Sequence, residues 1–358
     1  MAGRQAVTIK DVAERAGVSL MTVSAVLNGK ASERRISTRT QERVNEIAAE
    51  MGYKPNHLAR SLVTGRSGAL GLVFPYSSAF IDHNPFSTAI LSGVMAAAVQ
   101  ARWNLMLHTA TGDDWNAVDS GDLIDPRVDG LLLVLPTPHS PLVGRCQREK
   151  FPCVSLVYSA DSPDICTVNA DDYHGGRLAT EHLLALGHRR IAHLAGAPLV
   201  STSAPRIEGY LSALRDAGIT PDPALIVPAN FSQPGGRAAM KALLDQPEEL
   251  WPTAVFAGND VSALGVLEHL NEIGLRVPED IALVGYDDSY AGQLAQPPLT
   301  SVRMPIYEMA QQATNLLISL IEGKEITQLQ PVLPVSLTIR HSSGPHPASS
   351  FPTKETDL

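Results

Sequence analysis

Cysteine is scarce in this chain: three in 358 residues, at Cys146, Cys153 and Cys166. An odd number without metal-ligand spacing makes neither a disulfide framework nor a zinc site, and favours reduced thiols in a cytoplasm. Long apolar runs are missing too. No stretch approaches the roughly 18 residues that a membrane-spanning helix needs, and residues 1–30 have no apolar signal core. The expected location is therefore cytoplasmic, with no membrane partner. Catalytic and nucleotide signatures are also lacking: no GxGxxG follows a strand-like run, and GxxxxGKS/T, GxSxG and HExxH do not occur. Asn28-Gly29-Lys30 and Gly323-Lys324 lack the earlier glycine of a phosphate loop. An enzyme is not expected, nor is a cofactor or metal.

What is present is a sharp division of charge. The net charge of −9 argues against nucleic acid if taken whole, but residues 1–66 carry 11 Lys/Arg against 6 Asp/Glu, and the remainder 17 against 31. A basic head on an acidic body attracts phosphate at one end and repels it elsewhere. Within the head, Val7–Lys30 reads as two short helices joined by a tight turn. Thr8 with Asp11 predicts a capping box and a helix from about Ile9, with Val12, Ala13 and Ala16 as its apolar stripe. Gly17 closes it. Ser19 caps a second helix with Val23, Val26 and Leu27 inward, stopped at Asn28-Gly29. The small residues Ala13, Ala16 and Gly17 permit the close crossing of a helix-turn-helix, whose second helix enters the major groove; the plainer reading is an ordinary helical hairpin. Thr8, Ser19, Thr22, Ser24 and Asn28 suit phosphate contacts that set register. A basic loop, ASERRI at 31–36, precedes a third helix capped by Thr38 with Gln41, striped by Val44, Ile47, Ala48 and Met51 and closed by Gly52. Tyr53 is expected to pack over the head with its hydroxyl near a phosphate.

These motifs, TIKDVAERAGVS, TVSAVLN and RVNEIAAEMGYKPNHLARSL, stand in order at the N-terminus and resemble those of the lactose-repressor (LacI/GalR) family of bacterial transcription regulators. The resemblance runs to about Arg340. It implies that Leu20, Met21 and Ala25, on the side of the second helix expected to be exposed, touch base edges; the competing reading packs Leu20 and Met21 inside the head. Facing DNA, these apolar side chains can meet thymine methyls but cannot pair with guanine. The resemblance also implies a hinge helix over 55–66 that orders in the minor groove, with Leu62 wedging between central base pairs, Ala59 on the groove floor, Arg60 on a phosphate and Asn56 in the same DNA-binding set. Without DNA, this segment is too short for a stable isolated helix, and a plain tether is the alternative.

From Ala69 the pattern alternates. Apolar strand runs at 69–74, 104–110, 130–135 and 153–157 are separated by helical patterns at about 85–101, 115–125 and 140–149. A second set follows at 190–196, 224–229, 254–258 and 281–286. Such alternation implies parallel sheets with right-handed crossovers, here two doubly wound lobes with a ligand cleft at the strand ends. The expected architecture is an all-α helix-turn-helix head (1–54) and hinge helix (55–66) on an α/β core like the periplasmic binding proteins. Its N-lobe covers 67–168 and 300–328, its C-lobe 169–299 and 329–341, and 342–358, rich in Ser and Pro, is read as a disordered tail.

For the cleft, the resemblance implies an effector contact by Arg206, hydroxyl binding by Asn259 and Asp287, and stacking by Phe231. Phe86 borders the same site. Carboxylate, amide and aromatic groups suit a sugar. Asp171, Asp260 and Asp288 read equally well as helix caps after strands. Two departures qualify this. The loop YSSAFIDH before Asn84 is longer than is usual in the family, and Val157 stands where many sugar-binding relatives have aspartate, which opens the site to a larger glycoside, a nucleoside or a less polar ligand. The resulting expectation is a homodimeric regulator, in the repressor sense, that binds pseudo-palindromic double-stranded operator DNA under control of a small-molecule effector of carbohydrate type. A stand-alone sugar-transport protein is the nearest rival, and the basic head argues against it.

Overall fold

A computed structural model describes residues 7–346, apart from 28, 30, 54–64, 75–83, 110–122, 138–139, 159–161 and 199. The chain forms two compact units, residues 1–67 and 68–358. The expected hinge residues Asn56, Ala59, Arg60 and Leu62, and Asn28 in the head, lie outside the described residues, as does most of the helix expected at 115–125.

The first unit holds α1 (Ile9–Ala16), α2 (Leu20–Leu27) and α3 (Thr38–Glu50). The capping box is formed as the sequence implies: the Thr8 hydroxyl accepts from Asp11 N, and Asp11 accepts from the Thr8 backbone at 2.8 Å. The first helix ends on left-handed Gly17. Val12, Ala13, Ala16, Val23, Val26, Val44 and Ala48 make a small shared core. Two expectations need correction. The cap of α3 is Ser37, not Thr38, because its hydroxyl is the one that accepts from Thr40 N, while Gln41 turns back to the Ile36 carbonyl. Ala25 is 6% exposed, not on the open face, because one turn after Met21 the helix has rotated it into the three-helix packing.

The second unit runs β1 (Ala69–Phe74), α4 (Pro85–Ala101), β2 (Asn104–Thr109), β3 (Gly130–Val134), α5 (Pro141–Glu149), β4 (Cys153–Leu156), β5 (Thr167–Ala170) and α6 (Asp172–Ala185). It continues through β6 (Ile191–Ala195), α7 (Ser203–Asp216), β7 (Ile226–Pro228), α8 (Gln233–Leu244), β8 (Ala254–Ala257), α9 (Asp260–Ile273), β9 (Ala282–Tyr286) and α10 (Tyr290–Leu294). Last come β10 (Thr300–Arg303), α11 (Ile306–Glu322), β11 (Val332–Leu333) and β12 (Ser336–Thr338). Two six-stranded sheets result, ordered β11-β5-β4-β3-β1-β2 and β12-β10-β9-β8-β6-β7. Every pairing is parallel except β10 with β12. Helices cover both faces, so the central strands β3, β6, β8 and β9 are buried throughout and read as unbroken apolar runs.

The lobe boundaries differ from the expected ones. Thr300–Arg303 pairs with β9 and so belongs to the C-lobe sheet, while Thr167–Ala170 and Val332–Leu333 complete the N-lobe sheet. The chain therefore crosses between lobes after Ala170, after Arg303 and after Leu333. Helix α11 packs back on α4 and the N-lobe strands. The expected tail also needs correction, since residues 341–346 are pinned to the C-lobe. Ser342 is fully buried, its hydroxyl donates to the Leu283 carbonyl at 2.7 Å, and it accepts from Thr300 N at 2.8 Å. His188 Nε2 bonds the Gly344 carbonyl at 3.0 Å.

Ser342→Ala should therefore cost stability, about 1–3 kcal/mol for two buried backbone groups left without a partner. Urea unfolding of the full chain measures it; a variant as stable as the parent would show that this segment contributes no packing.

Candidate functional site

Two regions carry the expected site residues. In the head, Leu20 and Met21 are 47% and 61% exposed, so they face solvent and are not part of the head core. The remaining residues of α2 are half-buried or buried. Ser19 and Thr22 pair hydroxyl to hydroxyl at 2.9 Å, and Ser19 accepts from Thr22 N, so both serve the helix start while remaining at the surface. Thr8 does the same for α1. Ser24 is half-buried, and Tyr53 is half-buried against the head core. Arg15 ties α1 to α3 through Glu50 at 3.1 Å.

In the body, the C-lobe cluster is built around Arg206 on α7. Helices α6 and α7 touch backbone to backbone, because a Cβ at Gly176 would lie 2.3 Å from the Arg206 carbonyl and one at Gly209 2.1 Å from the Tyr173 carbonyl. This approach brings the Arg206 side chain to Asp172 at the start of α6. Its Nε donates to Asp172 Oδ1 at 2.9 Å, one terminal nitrogen donates to the Gly258 carbonyl at 2.5 Å, and the other reaches the Met304 sulfur at 3.7 Å. The guanidinium lies 3.6 Å over the Tyr286 ring, and the Tyr286 hydroxyl donates to Asp172 at 2.9 Å. Burial works against the guanidinium's charge, yet Asp172, Tyr286 and Asp287 hold it protonated. The same burial raises Asp172 above the usual carboxylate range, opposed by Arg206.

Phe231 follows β7 in a left-handed backbone (φ 54°) and lays its ring over Gly196, where a Cβ would fall 1.9 Å from the ring. Its ring centroid is 5.5 Å from the Arg206 guanidinium carbon. Asn259 caps α9 by accepting from Ser262 N at 2.9 Å and clamps Phe231 by donating to its carbonyl at 3.2 Å. One of its amide hydrogens remains for another acceptor.

Asp287 sits just past β9 at φ 105°, a strained value for a residue with a side chain. Its carboxylate has no hydrogen-bond partner among the described residues, and dense surroundings raise it well above the usual range, opposed by Arg206. It lines a cavity of about 740 Å³ between the lobes, together with Phe86 at the start of α4, Tyr290, Met304 and Tyr307. The structure thus brings Phe86 and Asp287 together directly. Arg206, Phe231 and Asn259 form a second group outside that lining, and Arg206 reaches the lining residue Met304. Val157 is buried, and the loop 76–83 lies outside the described residues.

The three carboxylates with alternative readings behave as scaffolding. Asp171 caps α6 by accepting from His174 N at 3.0 Å. Asp260 binds the Ser301 hydroxyl and Ser289 N, both at 2.7 Å, and so fixes the loop that carries Asp287. Asp288 pairs with Arg340 at 2.5 Å. Sequence reasoning left Asp172 and Tyr286 out of the site. The signal available was the doubled Asp171-Asp172: a helix needs one cap, so the second carboxylate was surplus.

A helix-turn-helix head followed by two parallel-sheet lobes with a cavity between them defines a one-chain DNA-binding regulator that carries its own ligand-binding body. Residues 8–56 match the family of bacterial regulatory proteins of the lacI type, and residues 180–343 match the periplasmic binding protein-like domain. The regulator CelR of Thermobifida fusca is 36% identical over 344 residues, covering 96% of this chain and all of that one. The ribose operon repressor of Escherichia coli K12 is 36% identical over 335 residues, covering 91% and 98%. Among solved structures, the lac repressor dimer bound to operator and the anti-inducer ONPF superposes at a TM-score of 0.84 with 29% identity, covering 95% of this chain and 100% of that one. A CelR–cellobiose complex superposes at 0.73 with 34% identity, covering 94% and 100%. The chain belongs to the LacI family of DNA-binding transcription regulators.

The buried Asp260 gives a pH signature. Burial pushes its carboxyl up to about 6 from 3.8. The folded state therefore binds more protons than the unfolded state between those values, and this group's contribution to stability falls as pH rises through that window. His193, pushed down by burial to about 4, acts in the opposite sense over roughly the same range. Comparing wild type with Asp260→Asn cancels the histidine. Relative to the variant, the wild type should lose about 2 kcal/mol between pH 4 and pH 8. A difference independent of pH would show that Asp260 is charged in both states.

Proposed function

We propose that this chain is a cytoplasmic, homodimeric repressor whose affinity for a pseudo-palindromic operator is set by a carbohydrate-type effector seated between the lobes at Asp287. The observation that carries the reading is Asp287 itself: an unpartnered carboxylate, in strained backbone, on the wall of an interlobe cavity. Strained backbone and an acidic group without a hydrogen-bond partner persist where a ligand uses them. The two oxygens of the Asp287 carboxyl meet the hydroxyls of a sugar, and Phe86 on the same wall offers an apolar face to its ring, with Phe231 in the neighbouring group. Asn259 has one N–H for the same ligand, and Arg206 acts by holding the C-lobe wall in shape. That relatives are a ribose operon repressor and a protein solved with cellobiose supports the ligand class.

The dimer face in this reading is the outer side of α4, where Leu91, Met95 and Val99 are exposed at four-residue spacing, beside exposed Leu107 on the sheet-edge strand β2. An apolar stripe of this kind needs a covering partner, and the lac repressor relative is a dimer.

Asp287→Asn is the direct test of the cleft. It should weaken the effector about tenfold to a hundredfold and leave stability and operator binding at wild-type levels. The effector is first found by a melting-temperature screen of mono- and disaccharides and nucleosides. Arg206→Ala is a poor substitute, because it strands Asp172 in the interior. Unchanged affinity in Asp287→Asn would remove Asp287 from the site. A second test addresses assembly: Met95→Glu should shift light scattering from dimer towards monomer at micromolar concentration, and a dimer that persists would place the interface elsewhere.

A further inference from the structure

The exposed face of α2 is unusual for a helix that must read bases. Leu20 and Met21 are its exposed side chains, with Thr22 and Ser24 half-buried. The helix, LMTVSAVL, contains no acidic or basic residue. Ala25, one turn on, is buried. The bidentate contacts that identify guanine or adenine require a guanidinium, ammonium or amide, and α2 has none. The basic groups of the head lie elsewhere, as in Arg34 and Arg35 of the loop after α2, and contacts to phosphate carry no sequence information.

One feature of a major-groove edge is apolar, the C5 methyl group of thymine, and the same position bears a methyl in 5-methylcytosine. Leucine and methionine side chains are matched to it by shape and polarity, and methionine adapts to an irregular surface. Resting on the reading that α2 lies in the major groove of the operator, we propose that Leu20 and Met21 make the head a reader of C5 methyl groups. Operator half-sites then carry thymine opposite these two side chains. Methylation of a cytosine at the same place turns a poor site into a good one, because the methyl is recognised and the pairing edge is not. The net positive charge of residues 1–66 draws the head to the duplex.

The test uses full-length protein and a 24-bp duplex selected by that protein from a randomised library. Thymines of the selected half-site are replaced one at a time by uracil, which removes the methyl and nothing else. Binding is followed by fluorescence anisotropy at fixed salt. At one or two positions per half-site, uracil should weaken binding about fourfold, and roughly fifteenfold when both half-sites are changed. Cytosine·guanine at the same positions should bind more weakly than 5-methylcytosine·guanine by the same fourfold factor. In Leu20→Ala and Met21→Ala the uracil penalty should vanish at the position each contacts; both side chains are exposed, so circular dichroism melting should match wild type. Equal affinity for thymine and uracil at every position overturns the proposal while leaving the recognition helix in place. Failure of the library to yield any duplex preferred over scrambled DNA overturns the reading on which it rests.

Discussion

The buried guanidinium of Arg206 is the fastening on which the ligand-binding body depends. It reaches four separate parts of the chain: Asp172 at the start of α6, Gly258 after β8, Tyr286 on β9 and Met304 at the crossover into the N-lobe. None of these is close to Arg206 in sequence. A charge taken out of water is stable only when it is paired and hydrogen-bonded on several sides. The arrangement therefore resists piecemeal change, and it fixes the ends of two strands and a crossover at once. Asp287 follows Tyr286 directly, so the strained, unpartnered carboxylate is held in place by the residue before it. Asp260 secures the following loop through Ser289 and Ser301. The cavity wall is thus preorganised without spending the carboxylate that faces it.

The second organising constraint is the separation of charge along the chain. A basic head and an acidic body cannot exchange roles on DNA. This leaves the head to provide both attraction and discrimination. Lys and Arg give residues 1–66 their positive charge, while the exposed side chains of α2, Leu20 and Met21, are apolar. A ligand in the body changes DNA affinity only through a difference in its own affinity for two arrangements of the lobes.

Much of this was legible in the sequence where the physics is local. The Thr8–Asp11 capping box spans three residues and needs no tertiary partner, and the buried strands ALGLVF and ALVGY announce themselves because both sheet faces are covered. Thr167–Ala170, Thr300–Arg303 and Ser336–Thr338 were not legible: they are short and partly polar, and only their pairing with other strands makes them strands. The lobe boundaries moved for the same reason. The Ser- and Pro-rich composition after Arg340 suggested disorder, but Ser342 shows that a few well-placed hydrogen bonds to strand ends order such a segment. Ala25 illustrates the limit of phase on a helix of eight residues, where a modest rotation changes which face is open. Arg206 was singled out on resemblance, whereas its partner Asp172, 34 positions away, had no local mark except its surplus beside a capping aspartate.

The central claim is that one chain couples a ligand between the lobes to DNA at the head. Linkage makes this measurable in a single quantity. The dissociation constant of a carbohydrate that raises the melting temperature is determined by calorimetry on the free protein and again on the protein saturated with its selected operator duplex. The account expects the two constants to differ, by the same factor by which the carbohydrate changes operator affinity. Identical constants with and without DNA would contradict it.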